Sequence, residues 1–390
     1  MNVIPEIEAE RDEWAALRRD IHAHPELAFE EHRTADLVAE RLTAWGLAVH
    51  RGLARTGVVG TLSRGAGPAI GLRADLDALA LLEANTFAHR SRFDGKMHAC
   101  GHDGHTVMLL AAARYLAFHP EFSGTVHFIF QPAEEAAGGA KVMLADGLLE
   151  KFPIDAVFGM HNWPGLPAGH FAVRTGPMMA SLDCFDISIR GTGTHGALPH
   201  HGVDPISTAA LLVNALQTIV SRNVDPLQAA VVSVAKIHAG DTHNIIPERA
   251  SLGGGIRCFD AELRARLKRR LCDIADGVAS ACGAKADVEF GASFPPLVND
   301  ETNTRLAAEA AVRVAGAAAV QTAAAPVLAS EDFAYMLEQR AGCYLFIGNG
   351  AGSGSCMIHN PGYDFNDAVL PVGASYWVRL VQRVLGGTGA

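Results

Sequence analysis

The sequence predicts an α/β protein that carries a smaller ferredoxin-like unit inserted into a larger layered one, and three observations predict it. Apolar runs of strand length alternate with helical stretches through the first 180 residues, the signature of an α/β layer architecture. Near Ser181 the order changes to strand, helix, two strands, helix, strand, which is the split βαβ order of ferredoxin-like domains. After Pro295 the first pattern resumes. The expected divisions are 1–180, 181–293 and 294–390, the middle one being the insert.

Taken in order, Ile7, Trp14, Leu17 and Ile21 share helical spacing over 6–21, and Leu37, Val38, Leu42 and Trp45 repeat it over 34–45. Gly46 suits the left-handed residue after a helix end. Strands are expected at 57–62, 69–72, 125–130, 155–160 and 171–173, with helices at 106–118 and 138–149. In the insert, C-F-D-I-S-I-R (184–190) alternates as a half-buried strand; 204–220 is an apolar helix, 229–237 and 250–258 are strands, 261–281 is an amphipathic helix and 286–290 the last strand. A strand at 343–347 and a helix near 374–385 close the chain. Gly350 to Ser355 (G-A-G-S-G-S) reads as an adaptable loop just before His359, or as an ordinary surface loop.

Composition excludes several function classes. A net charge of -10 argues against nucleic acid as a partner, because a phosphate-binding surface needs a basic excess. The one basic run, Arg264 to Arg270, reads as the solvated face of a helix. The amino-terminal residues are acidic and lack an apolar h-region, and the most apolar tract, 306–325, is alanine-rich and interrupted by Glu309 and Arg313, so neither a secretory signal nor a membrane span is expected. Seven scattered cysteines point to reduced thiols and a cytoplasmic location.

The chemistry gathers where strands are expected to end, the place at which α/β sheets present their ligands. M-H-A-C-G-H-D-G-H-T (97–106) puts Cys100 and His102 on either side of Gly101, and thiolate with imidazole suits a borderline-soft metal such as zinc. Q-P-A-E-E (131–135) supplies Glu134 and Glu135; one carboxylate can bind metal while the other acts as a base. His161 follows the run D-A-V-F-G-M, His359 lies in M-I-H-N-P, and Asp75 and Asp77 follow the strand at 69–72. Each alone has an ordinary structural reading: a surface turn, an exposed helix pair, a lone structural histidine, a sheet-edge carboxylate.

Together with I-H-A-H-P-E-L-A-F-E-E (21–31), G-L-R-A-D-L-D-A-L (71–79), G-T-H-G-A-L-P-H (193–200), N-I-I-P (244–247) and S-E-D-F (330–333), these motifs resemble the M20 metallopeptidases, and most closely their amidohydrolase branch of hippurate hydrolases, N-acyl-amino-acid deacylases and auxin-conjugate hydrolases. The similarity runs from about residue 14 to about 385. It implies a zinc-peptidase-like catalytic domain and an inserted dimerisation or lid domain. It also implies two divalent metal ions (zinc, manganese, nickel or cobalt) held by Cys100, His102, Glu135, His161 and His359, with Glu134 as general base. The partners it implies are a small N-acyl amino acid and a second copy of the chain, with His195 reaching the active site of the partner subunit. His195 could donate to the oxyanion, Asn244 and Arg257 could bind the substrate carboxylate, and Asp75 is expected to orient a ligand histidine from behind. Arg257 also has a salt-bridged structural reading. His22, His24, His98 and His105 are not expected to be ligands, although His105 could support the site. The chain departs from the wider superfamily at Arg73, where many relatives carry a ligand histidine, and at Cys100, near the place of a bridging aspartate. The expected reaction is hydrolysis of an N-acyl amino acid to a carboxylic acid and a free amino acid; the rivals are a dipeptidase or aminopeptidase, a hydrolase using Cys100 as nucleophile, and a metal-binding protein without catalysis.

Overall fold

The structure is a computed structural model that describes residues 1–351 and 356–386, with the side chains of 136 and 137 left aside. It divides into two units, one formed by 1–178, 298–325 and 332–390 and the other by 179–297 and 326–331.

The first unit begins with α1 (Pro5–Ala9), α2 (Arg11–Ala23) and α3 (His32–Ala44). The stretch expected as one helix over 6–21 is thus two, broken at Glu10. Next come β1 (Ala48–Leu53), β2 (Gly57–Arg64), β3 (Ala69–Asp75), α4 (His102–Phe118) and β4 (Gly124–Gln131). Short helices α5 (Glu134–Ala137), α6 (Gly139–Ala145) and α7 (Leu148–Lys151) lead to β5 (Ala156–Pro164) and β6 (Phe171–Ala172), and the chain leaves this unit through β7 (Gly176–Met179). The helix expected over 138–149 is divided because Gly147 takes the left-handed conformation, φ 90°, and starts α7 afresh.

The second unit holds β8 (Leu182–Arg190), β9 (Thr194–His195), α8 (Pro205–Leu216), α9 (Thr218–Asn223), β10 (Ala230–Ala239), β11 (Ile245–Ile246), β12 (Arg249–Cys258), α10 (Ala261–Ala281) and β13 (Lys285–Phe294). After β14 (Leu297–Asn299), α11 (Glu301–Ala315), β15 (Val320–Gln321), α12 (Ala334–Gln339), β16 (Gly342–Gly350) and α13 (Leu370–Leu385) complete the first unit. Residues 352–355 of the expected glycine-rich loop lie outside the described residues.

The eight-stranded sheet of the first unit has the order β1-β2-β4-β3-β5-β16-β6-β15. Its centre, β4-β3-β5-β16, is parallel. Parallel central strands are covered on both faces and therefore read as continuous apolar runs, as β16 does: all nine of its residues are buried. Helix α4 packs on β3, α2 and α13. The crossing with α13 is close because Gly373 has no side chain; a Cβ there would overlap the Met108 sulfur.

The second unit's main sheet is antiparallel with the order β10-β12-β8-β13. With the connectivity β8-α8-β10-β12-α10-β13 this is the ferredoxin-like arrangement. Its core follows from spacing alone: Phe185, Ile187 and Ile189 alternate inward on β8, while Leu263, Leu267 and Leu271 recur every fourth residue on α10. Asp260 caps α10 by accepting from the Leu263 N–H at 2.7 Å. Two members of the basic run, Arg264 and Lys268, pair with buried Asp183 at 2.6 and 2.8 Å, so they anchor that helix to β8.

Candidate metal centre

The centre is assembled on the first unit by four chain segments. Cys100 precedes Gly101, whose φ of 94° turns the chain into α4 so that His102 becomes its first helical residue. A Cβ at Gly101 would overlap the Asn162 amide and the Tyr363 hydroxyl, so both the backbone angle and the packing require glycine. These neighbours also hold the turn: Asn162 Nδ2 donates to the Cys100 carbonyl and the Tyr363 hydroxyl donates to Asn162 Oδ1, each at 2.6 Å.

Glu134 and Glu135 open α5 just past the end of β4, after Ala133 in the left-handed region at φ 59°. His161 lies within β5, which runs three residues beyond it, so it is a strand residue and does not follow the strand. His359 comes from the segment after β16, again at positive φ (65°), and its N–H bonds the Ala99 carbonyl at 2.7 Å, next to Cys100.

Cys100, His102 and His161 place their donor atoms within 4.8 Å of one another; so do Cys100, Glu135 and His359, and likewise His102, Glu134 and Glu135. Cys100 Sγ is 3.3 Å from His161 Nε2, and Glu135 Oε2 is 3.3 Å from His359 Nε2. The five residues expected as ligands, and the expected base, are therefore brought together.

Several features say that this cluster fits a cation. Buried His102 Nε2 and Glu135 Oε1 lie 3.8 Å apart, and neither has a hydrogen-bond partner among the described residues. Burial would lower the His102 pKa, yet the Asp75 charge, the Asp77 hydrogen bond and Glu135 raise it to about 10, so the surroundings call for positive charge. Burial, and then the charges of Glu135, Glu134 and Asp75, push the Cys100 thiol well above its ordinary value. His161 is held well below its ordinary value, by burial and then by His105, which keeps a lone pair available for coordination. The nitrogen, sulfur and oxygen donor set suits a divalent transition metal.

Asp75 and Asp77 divide the supporting work differently from the expectation. The His102 Nδ1–H donates to the Asp77 carbonyl at 2.9 Å and faces its Oδ1 at 3.2 Å, so Asp77 orients the candidate ligand and turns Nε2 inward. Asp75 instead receives His105 Nδ1 at 2.6 Å, and His105 Nε2 accepts the Asn162 N–H at 2.9 Å. The physical reason is where the strand stops: β3 ends at Asp75, and irregular backbone then swings Asp77 toward α4. Despite burial, Asp75 stays well below its ordinary pKa because His102, His105 and Arg73 surround it. Arg73 is itself buried and donates to Asp75, Gln131 and Asp332 at 2.7, 2.8 and 2.9 Å.

A second buried cluster meets this one at α4. Asp103, next to His102, accepts from His22 Nδ1 at 2.9 Å and from Arg18 Nη1 at 3.3 Å, while Arg18 also grips Asp364 and Asp367 at 2.6 and 2.7 Å. His22 Nε2 faces Glu83 at 3.2 Å. Burial would lower the His22 pKa, but the hydrogen bonds to Asp103 and Glu83 raise it to about 9. Nothing in the local sequence around Arg18 or His22 announces this hub, because its partners lie up to 349 residues away.

The remaining expected residues belong to the second unit. His195, on β9, pairs opposite Ile245 of β11, and its Nδ1 accepts the Ala197 N–H at 3.1 Å, leaving Nε2 to carry the proton. Asn244 joins the same ribbon by accepting the Gly196 N–H at 2.7 Å. Arg257, on β12, donates to the Leu328 carbonyl at 2.6 Å; among the described residues no carboxylate pairs with it, so the salt-bridged reading has no support.

Residues 71–383 match the family described as Peptidase family M20/M25/M40. The chain is 42% identical to hippurate hydrolase of Campylobacter jejuni over 386 residues, covering 99% of this chain and 100% of that protein. It is 41% identical to N-acetyl-L-cysteine deacetylase of Bacillus subtilis, covering 93% and 85%. Among solved structures it is similar to the Bacillus subtilis YXEP protein, described as a dinuclear metal binding peptidase from the M20 family, with a TM-score of 0.84, 34% identity and coverage of 97% and 99%.

Proposed function

We propose, starting from the fact that this chain belongs to peptidase family M20/M25/M40, that it is a metal-dependent amidohydrolase which cleaves N-acyl amino acids to a carboxylic acid and a free amino acid. The observation that carries the reading is the meeting of Cys100, His102, Glu135, His161 and His359 around unpartnered His102 Nε2 and Glu135 Oε1, with a second carboxylate, Glu134, beside them.

Those five side chains would hold two divalent ions, and zinc, manganese, nickel and cobalt all suit the donor set. Such ions supply Lewis-acid polarisation of the amide carbonyl and a lowered pKa for the attacking water. Glu134 takes the water's proton and returns it to the leaving amine nitrogen. Its Oε1 accepts the Asp332 N–H at 3.3 Å, which fixes the carboxylate's direction. Asp77 fixes the His102 ring, and Asp75 with His105 backs Asn162 and the Cys100 turn.

Residues 1–180 and 294–390 form the catalytic domain in this reading, and 181–293 the dimerisation and lid domain. His195 stabilises the oxyanion, and Asn244 and Arg257 bind the substrate carboxylate, Arg257 by two parallel bonds. A homodimer through the second unit is supported by its exposed apolar side chains, Ile206 and Leu211 on α8 and Ile237 on β10, and by β10 standing at the edge of its sheet with a row of unpaired backbone groups. No helix among the described residues is long and apolar enough to cross a membrane. We place the protein in the cytoplasm on its seven free cysteines.

The cysteine-nucleophile rival is disfavoured by electrostatics: a reactive thiol needs electropositive surroundings, whereas Cys100 is raised by burial and by carboxylates. The test is chelation followed by a substrate panel. Exhaustive EDTA treatment should abolish hydrolysis of N-benzoyl and N-acetyl amino acids, and divalent ions should restore it. Activity that survives EDTA but not thiol alkylation would sink the metal reading, and dipeptides turned over faster than N-acyl amino acids would favour the dipeptidase.

A further inference from the structure

The motif at 21–31 ends in Glu31, a residue the reaction above does not use. Its carboxylate is fully buried and has no cationic partner among the described residues. A buried carboxylate without a counter-ion is costly, so its hydrogen bonds show what it is kept for. The Thr56 hydroxyl donates to Oε2 at 2.6 Å, and the N–H groups of Phe29 and Ala133 donate to Oε1 at 3.0 and 2.9 Å. By contrast Glu26, the other glutamate of that motif to bond backbone, caps α3 through the N–H groups of Arg33 and Thr34 and the Thr34 hydroxyl.

The Ala133 contact is the informative one. Ala133 is fully buried and lies in the left-handed region, φ 59° and ψ 41°, and it directly precedes Glu134. A residue with a Cβ stays in that region only where its surroundings hold it there. Two bonds do so: the Ala133 N–H to Glu31, and the Ala133 carbonyl, which accepts the Gly139 N–H at 3.0 Å. The left-handed step turns the chain from the end of β4 into α5 and so sets the direction in which Glu134 leaves the backbone.

We propose that Glu31 is the positioning residue for the general base, its buried carboxylate locking Ala133 in the left-handed turn that aims Glu134. This rests on the reading of Glu134 as the base. Among the described residues Glu31 bonds Thr56, Phe29 and Ala133 and none of the candidate ligands; it acts on the base through the backbone of one residue, Ala133. Releasing that bond lets Ala133 relax, and Glu134 drifts from the line of proton transfer, while Cys100, His102, His161 and His359 keep their own anchors and Glu135 stays tied by its N–H to the Asp77 carboxylate at 3.0 Å.

A double-mutant cycle on the metal-loaded full-length protein tests this. Misplacement of a catalytic group by about an ångström costs up to about a hundredfold, so Glu31→Ala is expected to lower kcat between about tenfold and a hundredfold, with KM and bound metal per chain within about twofold of the parent. Glu31→Gln, whose amide oxygen still accepts from Ala133, should recover most of that loss, and it carries the test if the alanine variant does not fold. In a Glu134→Gln background, already slowed by about a hundredfold or more, Glu31→Ala should lower kcat no further. Equal losses in both backgrounds, an unchanged kcat in the single variant, or a loss that appears in metal content or KM would overturn the assignment. Should Glu134→Gln itself keep the parent's kcat, the base reading fails first and takes this one with it, and that single variant identifies the cause.

Discussion

His102 and Asp103 are adjacent in the chain, yet they belong to two buried charge clusters that are closed in opposite ways. Asp103, with Asp364 and Asp367, is neutralised by the protein's own Arg18 and His22, and each cation meets carboxylates at hydrogen-bonding distance. His102 is held from one side by Asp77, but its Nε2 and Glu135 Oε1, both buried, have no hydrogen-bond partner among the described residues and face one another across 3.8 Å. The difference separates architecture from site. Charges closed by a guanidinium hold segments together, here α2, the start of α4 and the stretch after His359, whereas charges left open await an ion.

The comparison breaks most readily at Arg18. Removing one partner from a buried pair leaves the others uncompensated, so Arg18→Met should lower unfolding stability by ~3–5 kcal/mol in denaturant titrations. A loss below about 1 kcal/mol would deny the hub its structural role. On the open side, Asp77→Ala removes the carboxylate that faces His102 Nδ1 while the backbone carbonyl at 77 stays, and should weaken metal binding by about tenfold in a competition titration, with little change in apo stability. Unchanged affinity would mean that the Asp77 carboxylate does not orient the ligand.

A finer distinction comes from pH. The folded-state pKa of His22, about 9, lies above the unfolded value near 6.5. Its contribution is therefore complete below pH 6.5 and is lost as pH rises through 9. The stability difference between the parent and His22→Gln should shrink by on the order of 1 kcal/mol between pH 6 and 9.5; a constant difference would show that His22 is not held charged. The smallest effect is expected at Glu135. In metal-free protein Glu135→Gln relieves like charge and should leave the melting temperature unchanged or slightly raised, while abolishing the gain that added metal gives the parent. A drop as large as that of Arg18→Met would erase the distinction between the two clusters.

Much of this is legible in the amino-acid sequence. The ligand-type residues sit in short motifs at or near strand ends, and the ferredoxin-like unit follows from β8, α8 and α10, whose apolar spacing is unambiguous. Strand β1 was not legible, because an edge strand with only its last residue buried lacks the alternation that marks a half-buried one. The start of α4 at His102 was hidden by a polar decapeptide that is buried for its chemistry and not for its hydropathy. Asp75 and Asp77 could not be told apart, since two carboxylates at spacing two share a face only as long as the strand continues, and it stops at Asp75. Arg18, Glu31 and Asn162 act through partners distant in sequence, which no local pattern records.

The position of β16 has a consequence for how the molecule comes into being. It lies between β5 and β6, although every strand of the ferredoxin-like sheet is synthesised after β6 and before it. A chain growing from its amino end can therefore finish that smaller sheet while the larger one still has a gap at its middle, and His359 emerges only after the strand that fills the gap. Competence to hold two ions is thus among the last properties the nascent chain acquires, and a chain cut short before residue 342 carries the other ligand-type side chains without the strand that brings the last of them into place.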